Sequence, residues 1–325
     1  MKHCQLSKRA FLQLGVALCA VPVWAQSYPQ RLVTMVVPYP AGGGSDFVAR
    51  KLQAQLGKQL GQQVIVENTG GVGGAIGVQK VLSGPADGYQ LVLGSPMELI
   101  LAPLGLSAVK YKPEELRLVA QLVTTTMVLL TRKDLPVSNV HELIEWGKTK
   151  ELSYGSVGPG SMYHLVAERF TQLTKTRTLH VPYKGMAPVL ADLMGGQIDM
   201  GFIPLVGNVP ALIQEGKVKA LGITARQPLA RFPTLDPLAA HKGFESFEFD
   251  LWAGVQVPRQ TPADVVARLH KAIYDSLQNP DIRKAYEGTG NSLPKPMALS
   301  ELDRLYSAEI GRYQAIAKSV NLQPQ

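Results

Sequence analysis

Short β-branched runs alternate with amphipathic segments along most of the chain. Residues 32–37 (LVTMVV) are apolar throughout, which predicts a strand buried on both faces. The segment that follows places Phe47, Leu52, Leu56 and Leu60 at helical spacing, which predicts an amphipathic helix. Regular alternation of this kind is typical of α/β proteins with parallel sheets.

A long β-rich run at residues 118–131 separates two sets of alternating strands and helices. At about 100–200 residues per domain the chain has room for two lobes, and the run indicates a passage between them. We predict lobe I at residues 28–127 plus 226–325 and lobe II at residues 128–225. Because clefts between domains are preferred ligand sites, a ligand is expected between the lobes.

The N-terminus has the features of an export signal. A basic head precedes an apolar run at residues 10–23, which is too short to cross a bilayer that needs about 20 apolar residues. Small residues lie three and one positions before a cut after Ala25. We therefore predict a signal peptide at residues 1–25 and a periplasmic location. The Sec and twin-arginine export routes both stay open.

Loss of this leader changes the chemistry available to the mature chain. Both cysteines, Cys4 and Cys19, are removed, so disulfides, thiolate metal sites and cysteine nucleophiles are excluded. Three basic residues are also lost, and the formal charge falls from +8 to +5 (8 minus 3). No cluster of Lys and Arg remains of the kind that nucleic-acid binders carry. A mild positive excess suits an anionic ligand without specifying one.

Glycine-containing loops follow three of the predicted strands, at residues 38–46, 155–161 and 182–187. Ligands of open α/β sheets bind at this end of the strands. Glycines leave backbone N–H groups uncovered, and a helix that starts there adds about half a positive charge. The first two loops, one in each lobe, therefore predict an anion site without a cationic side chain. The alternative for any one loop alone is a simple turn between strand and helix.

Enzyme motifs are missing from the sequence. There is no GxGxxG, P-loop, G-x-S-x-G or HExxH pattern. The five mature histidines are scattered, so we expect a surface or capping role for each of them. Only a Ser161–His164 dyad offers a remote hydrolase alternative, and no acid or oxyanion donor can be assigned to it. We expect no catalytic residue, no metal site and no cofactor.

Four long segments resemble one known family. Residues 38–77 (PYPAGGGSDFVARKLQAQLGKQLGQQVIVENTGGVGGAIG) are similar to the opening of the Bug-type extracytoplasmic solute receptors of tripartite tricarboxylate transporters. Residues 152–170, 180–202 and 215–225 match the same family in the same order. The resemblance implies a type II periplasmic-binding-protein fold whose two α/β lobes close on a small organic carboxylate. It also implies a monomer without catalysis that serves the membrane subunits of such a transporter.

The resemblance further implies a set of ligand-binding residues. Lobe I would hold a carboxylate through backbone groups and bridging waters of the first loop, and lobe II would form the opposite wall. The predicted set comprises Tyr39, Pro40, Ala41, Gly43, Gly44, Ser45, Ser95 and Glu98 from lobe I, and Ser156, Gly158, Gly160, Ser161, Met162, Tyr163, His164, Gly185, Met186 and Ile203 from lobe II.

Departures from the family bear on the identity of the ligand. Met162 and Tyr163 stand where members commonly carry small polar residues, and Ile203 stands where Asp or Asn is frequent. If these side chains face the cleft, the ligand has one anchored carboxylate and an apolar or aromatic body; the alternative is that they point into the cores of the lobes. Glu98 either faces inward to pair with a ligand ammonium or is solvated.

A receptor that reports ligand occupancy to a membrane signalling protein would bind its ligand in the same way. It is the alternative function.

Overall fold

The computed structural model describes residues 28–320 and residue 322. The predicted signal peptide and its cut near Ala25 lie outside the described residues. The strands are β1 (Val33–Val37), β2 (Val64–Asn68), β3 (Gln90–Gly94), β4 (Leu116–Arg132), β5 (Leu152–Ser156), β6 (Thr178–Pro182), β7 (Met200–Pro204), β8 (Val218–Ile223) and β9 (Asp250–Pro258). The helices are α1 (Gly44–Leu60), α2 (Ala75–Leu82), α3 (Ala102–Gly105), α4 (Val140–Thr149), α5 (Met162–Thr174), α6 (Met186–Met194), α7 (Val209–Gln214), α8 (Ala263–Leu277), α9 (Pro280–Gly288) and α10 (Leu299–Ser319).

The strands pair in the order β2-β1-β3-β9-β4-β7-β5-β6, and β8 pairs with β4. Strands β1, β2 and β3 are parallel to one another, as are β5, β6 and β7. The carboxyl ends of each parallel set therefore lie at one edge of their part of the sheet, and the helix-forming loops leave from there.

Strand β4 belongs to both halves of the molecule. Its first part, Leu116–Thr126, pairs with β9, and its second part, Met127–Arg132, pairs with β7 and β8. The chain crosses a second time before β9, where Thr224 donates its N–H to Met127 O and accepts from Phe249 N. Two crossings divide the protein into lobe I, which holds β1–β3, β9, α1–α3 and α8–α10, and lobe II, which holds β5–β8 and α4–α7. The predicted boundary at residues 127 and 225 remains a prediction.

The last helix of lobe I also reaches lobe II. Helix α10 packs along β4, and Gln172 Nε2 of α5 donates to Ser319 O at 2.6 Å. Leu322 lies between the lobes, close to Gly105 of α3 and to Gly160 in the loop before α5. Ser319 at the end of α10 therefore bonds to lobe II, and Leu322 lies close to both lobes.

Candidate functional site

The loop after β1 leaves the start of α1 without a side-chain cap. Helix α1 begins at Gly44, and its N-cap Gly43 has extended backbone angles of φ −81° and ψ 175°. The amides of Gly43, Gly44 and Ser45 have no acceptor within the described part of the chain. Pro40 and Ala41 beside them are exposed. Uncovered N–H groups at the positive end of a helix dipole form an anion-binding arrangement.

The Asp46 side chain stabilises this loop through contacts with the loop itself and with α1. Its side chain is buried, at 4% exposure. It accepts from Gly42 N at 2.9 Å and pairs with Arg50 Nε at 2.9 Å. The hydrogen bond from Arg50, followed by that from the Gly42 amide, lowers the pKa of Asp46 to about 2. The carboxylate is therefore engaged by its own loop and helix, and does not oppose an incoming anion.

Glu98 lies beneath the same loop, in a helical turn that follows β3. The side chain is 1% exposed. Its Oε2 accepts from the Tyr39 hydroxyl at 2.7 Å and from Ser95 Oγ at 2.8 Å, and its Oε1 accepts from Ser95 N. The expectation that Glu98 is solvated is therefore wrong, because its carboxyl is buried and bonded to Tyr39 and Ser95 of its own lobe. Ser95 is likewise engaged by Glu98.

In lobe II, Ser161 is the N-cap of α5. Its Oγ accepts from His164 N at 3.3 Å and donates to Gly158 O at 2.7 Å. The His164 ring turns elsewhere, and its Nδ1 accepts from Gly160 N at 3.2 Å. The Ser161–His164 dyad considered as a remote alternative is therefore not formed, since the hydroxyl proton is directed at a carbonyl and not at the imidazole.

His180 of β6 joins this loop, which the sequence did not predict. Its Nε2 lies 2.7 Å from Ser156 Oγ, and its ring stacks on Tyr154 at 4.9 Å and meets His164 at 4.4 Å between ring centroids. Burial, and then the neighbouring His164, lower the pKa of His180 to about 4. Burial also lowers the pKa of His164. Two neutral imidazoles therefore flank the loop that faces lobe I.

The two lobes approach each other at these loops. A Cβ placed on Gly105 of lobe I would lie 3.7 Å from Gly160 Cα of lobe II. The pKa of Tyr39 is raised well above its usual range by burial, then by Glu98, and also by Tyr163 across the cleft. Burial raises the pKa of Tyr163 itself to about 12. Tyr39 of lobe I and Tyr163 of lobe II are therefore close enough to interact electrostatically.

No group of three or more His, Cys, Asp or Glu side chains within residues 28–320 is arranged to hold a metal ion. None of the helices in the described ranges has both the length and the apolar character that a membrane span requires.

Residues 48–322 match the model of the tripartite tricarboxylate transporter family receptors. The chain belongs to this family. It is thereby assigned to a family of receptors and not of enzymes, and the resemblance drawn from the sequence motifs is confirmed.

Three solved structures resemble the receptor along nearly its whole length. The periplasmic binding protein BugD is 30% identical, with a TM-score of 0.74 over 92% of this chain and 100% of BugD. MatC (Rpa3494) from Rhodopseudomonas palustris, solved with bound malate, is 32% identical, with a TM-score of 0.73 over 89% of this chain and 99% of MatC. Rpa4515 of R. palustris, solved with adipate, is 30% identical, with a TM-score of 0.77 over 92% and 100%. The type II periplasmic-binding-protein fold is therefore confirmed.

Two side chains that suggested an apolar pocket in this receptor are not in the cleft. Met162 and Ile203 are 0% exposed. Met162 packs into the core on the α5 side of lobe II, and Ile203 packs with Val189 and Leu190 of α6 on the other side. The expectation that these two residues face the cleft is wrong, because each side chain is part of a hydrophobic core.

The other predicted residues of lobe II include Gly185 and Met186, where the third loop leads into α6. Gly185 immediately precedes Met186, the first residue of α6, and the space around the Gly185 Cα is open. Tyr183 N donates to Ser156 O at 2.8 Å, which joins the third loop to the second. The receptor thus places its lobe II loops side by side.

Proposed function

We propose that this receptor captures a small organic carboxylate in the periplasm, between its two lobes, and presents it to the membrane subunits of a tripartite tricarboxylate transporter. The observation that carries the proposal is the uncapped start of α1, where three adjacent amides lack acceptors in the described chain. MatC and Rpa4515, the relatives solved with malate and adipate, support a carboxylate as the ligand.

The proposed ligand site is the predicted set without its buried members. A carboxylate binds at the amides of the first loop, and the lobe II loops and α5 close over its other end. Met162, Ile203 and Ser156 are excluded because all three are 0% exposed, and Glu98 is excluded because it is buried beneath the first loop. The site then comprises Tyr39, Pro40, Ala41, Gly43, Gly44, Ser45, Ser95, Gly158, Gly160, Ser161, Tyr163, His164, Gly185 and Met186.

We also propose that capture requires closure of the lobes, with residues 28–127 and 226–325 moving against residues 128–225. Strand β4 and the second crossing near Thr224 act as the hinge. An apolar or aromatic ligand body is still proposed, but its support is now the pair Tyr39 and Tyr163. Stacking between two rings is worth about 0.5–1.5 kcal/mol beyond burial.

A thermal-shift screen of protein purified from the periplasm tests this function, and the intact mass of the same sample checks the cut near Ala25. The panel holds short dicarboxylates, tricarboxylates, aromatic acids and amino acids. An acid at about 100 times its Kd stabilises the folded state by about 2.7 kcal/mol, which raises the Tm by several degrees.

The neutral amides of the same acids serve as matched controls and should give no shift. A shift for the amides equal to that for the acids would contradict the anion site. A preference for short polar diacids over acids with apolar bodies would contradict the proposed ligand body alone.

A further inference from the structure

Glu98 is a buried carboxyl without a cation. No Lys, Arg or His of the described residues forms an ion pair with it. Gly74 packs closely against the Glu98 side chain, since a Cβ on Gly74 would lie 2.8 Å from Glu98 Cβ. Buried charges are normally paired, so an unpaired carboxyl under a ligand loop requires an explanation.

Neutral side chains surround this carboxyl on each element that packs against it. Tyr39 comes from the first loop, Ser95 from the end of β3, and Tyr111 from the segment after α3, where its hydroxyl donates to Glu98 O. The pKa of Tyr306 of α10 is raised by burial and, to a smaller extent, by Tyr111, Glu114 and Glu98. Burial raises the pKa of Glu98, and the hydrogen bonds from Tyr39 and Ser95 only partly offset this.

The contacts of Glu98 can satisfy both of its protonation states. As a carboxylate it accepts three hydrogen bonds. One of them comes from the backbone N–H of Ser95, which can only act as a donor. The other two partners, the hydroxyls of Tyr39 and Ser95, can either donate or accept. A proton on Oε2 can therefore be donated to the Tyr39 oxygen. The Tyr39 O–H is then released from Glu98 and can donate elsewhere.

Tyr39 connects this carboxyl to the ligand loop. Its backbone precedes the uncapped amides of α1, and its side-chain hydroxyl donates to Glu98 Oε2. An anion bound at those amides would lie near Glu98, and two like charges in a site from which water is excluded repel strongly. Binding of the anion therefore favours the neutral acid at Glu98.

We propose that the receptor takes up a proton at Glu98 when it captures its anionic ligand, and that the neutral acid donates to Tyr39 so that Tyr39 donates to the ligand carboxylate. The proton comes from solvent, and no covalent bond of the ligand changes. This inference rests on the proposed function and adds proton-linked capture to it.

Linkage gives the sign of the pH effect. The bound state holds the proton more tightly than the free state, so affinity is highest at low pH. The affinity falls as the pH rises from the pKa of Glu98 in the free receptor to its higher pKa in the complex, by up to about tenfold per pH unit.

Calorimetric titration with adipate in buffers of different ionisation enthalpy measures this uptake. The wild type should take up as much as about one proton per adipate in the linked pH range. Glu98→Gln, which keeps the shape and the neutral state, should bind adipate with little uptake and a flat pH profile. Tyr39→Phe should lose affinity, whereas Tyr111→Phe, which touches only the Glu98 backbone carbonyl, should keep the wild-type uptake. Equal uptake by the wild type and Glu98→Gln, or no uptake by the wild type, would overturn the proposal.

Infrared spectroscopy of the ligand-free protein separates this inference from the proposed function. A protonated-carboxyl band that grows on acidification, and that Glu98→Gln lacks, would assign the proton to Glu98 even if no acid of the panel binds. Failure of the whole panel would then count against the function, while an unchanged band in Glu98→Gln would count against the role of Glu98.

Discussion

Replacing Gly44 by proline should weaken ligand binding about 10- to 100-fold, while Gly44→Ala should bind nearly as well as the wild type. Proline removes the N–H of the first helical residue, one of the three uncovered amides. A hydrogen bond to a charged group contributes about 1.5–3 kcal/mol, and each 1.4 kcal/mol is about tenfold in affinity. The loss should appear in calorimetric titration with the acid that gives the largest thermal shift.

This substitution removes the amide with little strain. Proline is favoured at the first position of a helix, where its fixed φ is suitable. The residue before a proline must be extended, as Gly43 already is, at φ −81° and ψ 175°. A Cβ at Gly44 meets no atom within 4 Å, so the alanine variant controls for added bulk. Equal affinity of the two variants would show that this amide does not hold the ligand.

Acidification should destabilise the wild type by about 1–2 kcal/mol more than His180→Gln. The folded-state pKa of His180 is lowered from 6.5 to about 4. The folded state therefore binds fewer protons than the unfolded state between these values, and stability is lost as the pH falls through this window. The full shift corresponds to about 3 kcal/mol, and partial solvent exposure of the ring reduces it.

Urea unfolding at a series of pH values between 7 and 4 measures this difference. His270→Gln is the matched control, because His270 hydrogen-bonds to Val119 O in lobe I and leaves the histidine pair of lobe II intact. It should keep the pH slope of the wild type. The same slope in His180→Gln as in the wild type would contradict a neutral, stacked His180.

The sequence predicted the elements of the fold well because their patterns are local. The run at 32–37 is confirmed as β1, and the run at 118–131 as β4. The first helix was predicted from Phe47 onwards, but it begins at Gly44. Its first turn has no apolar residue before Phe47, so hydrophobic spacing could not reveal that turn.

Which side chains face the cleft was harder to predict. Phe202 and Ile203 are adjacent in β7, and they point to opposite faces of a sheet that is covered by helices on both sides. Hydrophobicity is the same on both faces, so the sequence could not show that Ile203 is in a core. The same reason applies to Met162.

The polar contacts of the site depend on distant pairings. Glu98 meets Tyr39 across 59 positions of sequence. His180 meets Tyr154 because β5 and β6 pair in that register. One signal was present in the sequence, since Tyr154 and His180 each lie near the end of a predicted strand that leads into a glycine-containing loop. Adjacent parallel strands bring such positions together.

The structure of the receptor in complex with its best-binding acid tests the central claim most directly. We predict one carboxylate within hydrogen-bonding distance of the Gly43, Gly44 and Ser45 amides, with the Ser156–Ser161 loop closed over the other end of the ligand. A ligand that binds elsewhere and makes no hydrogen bond to these amides would contradict the account.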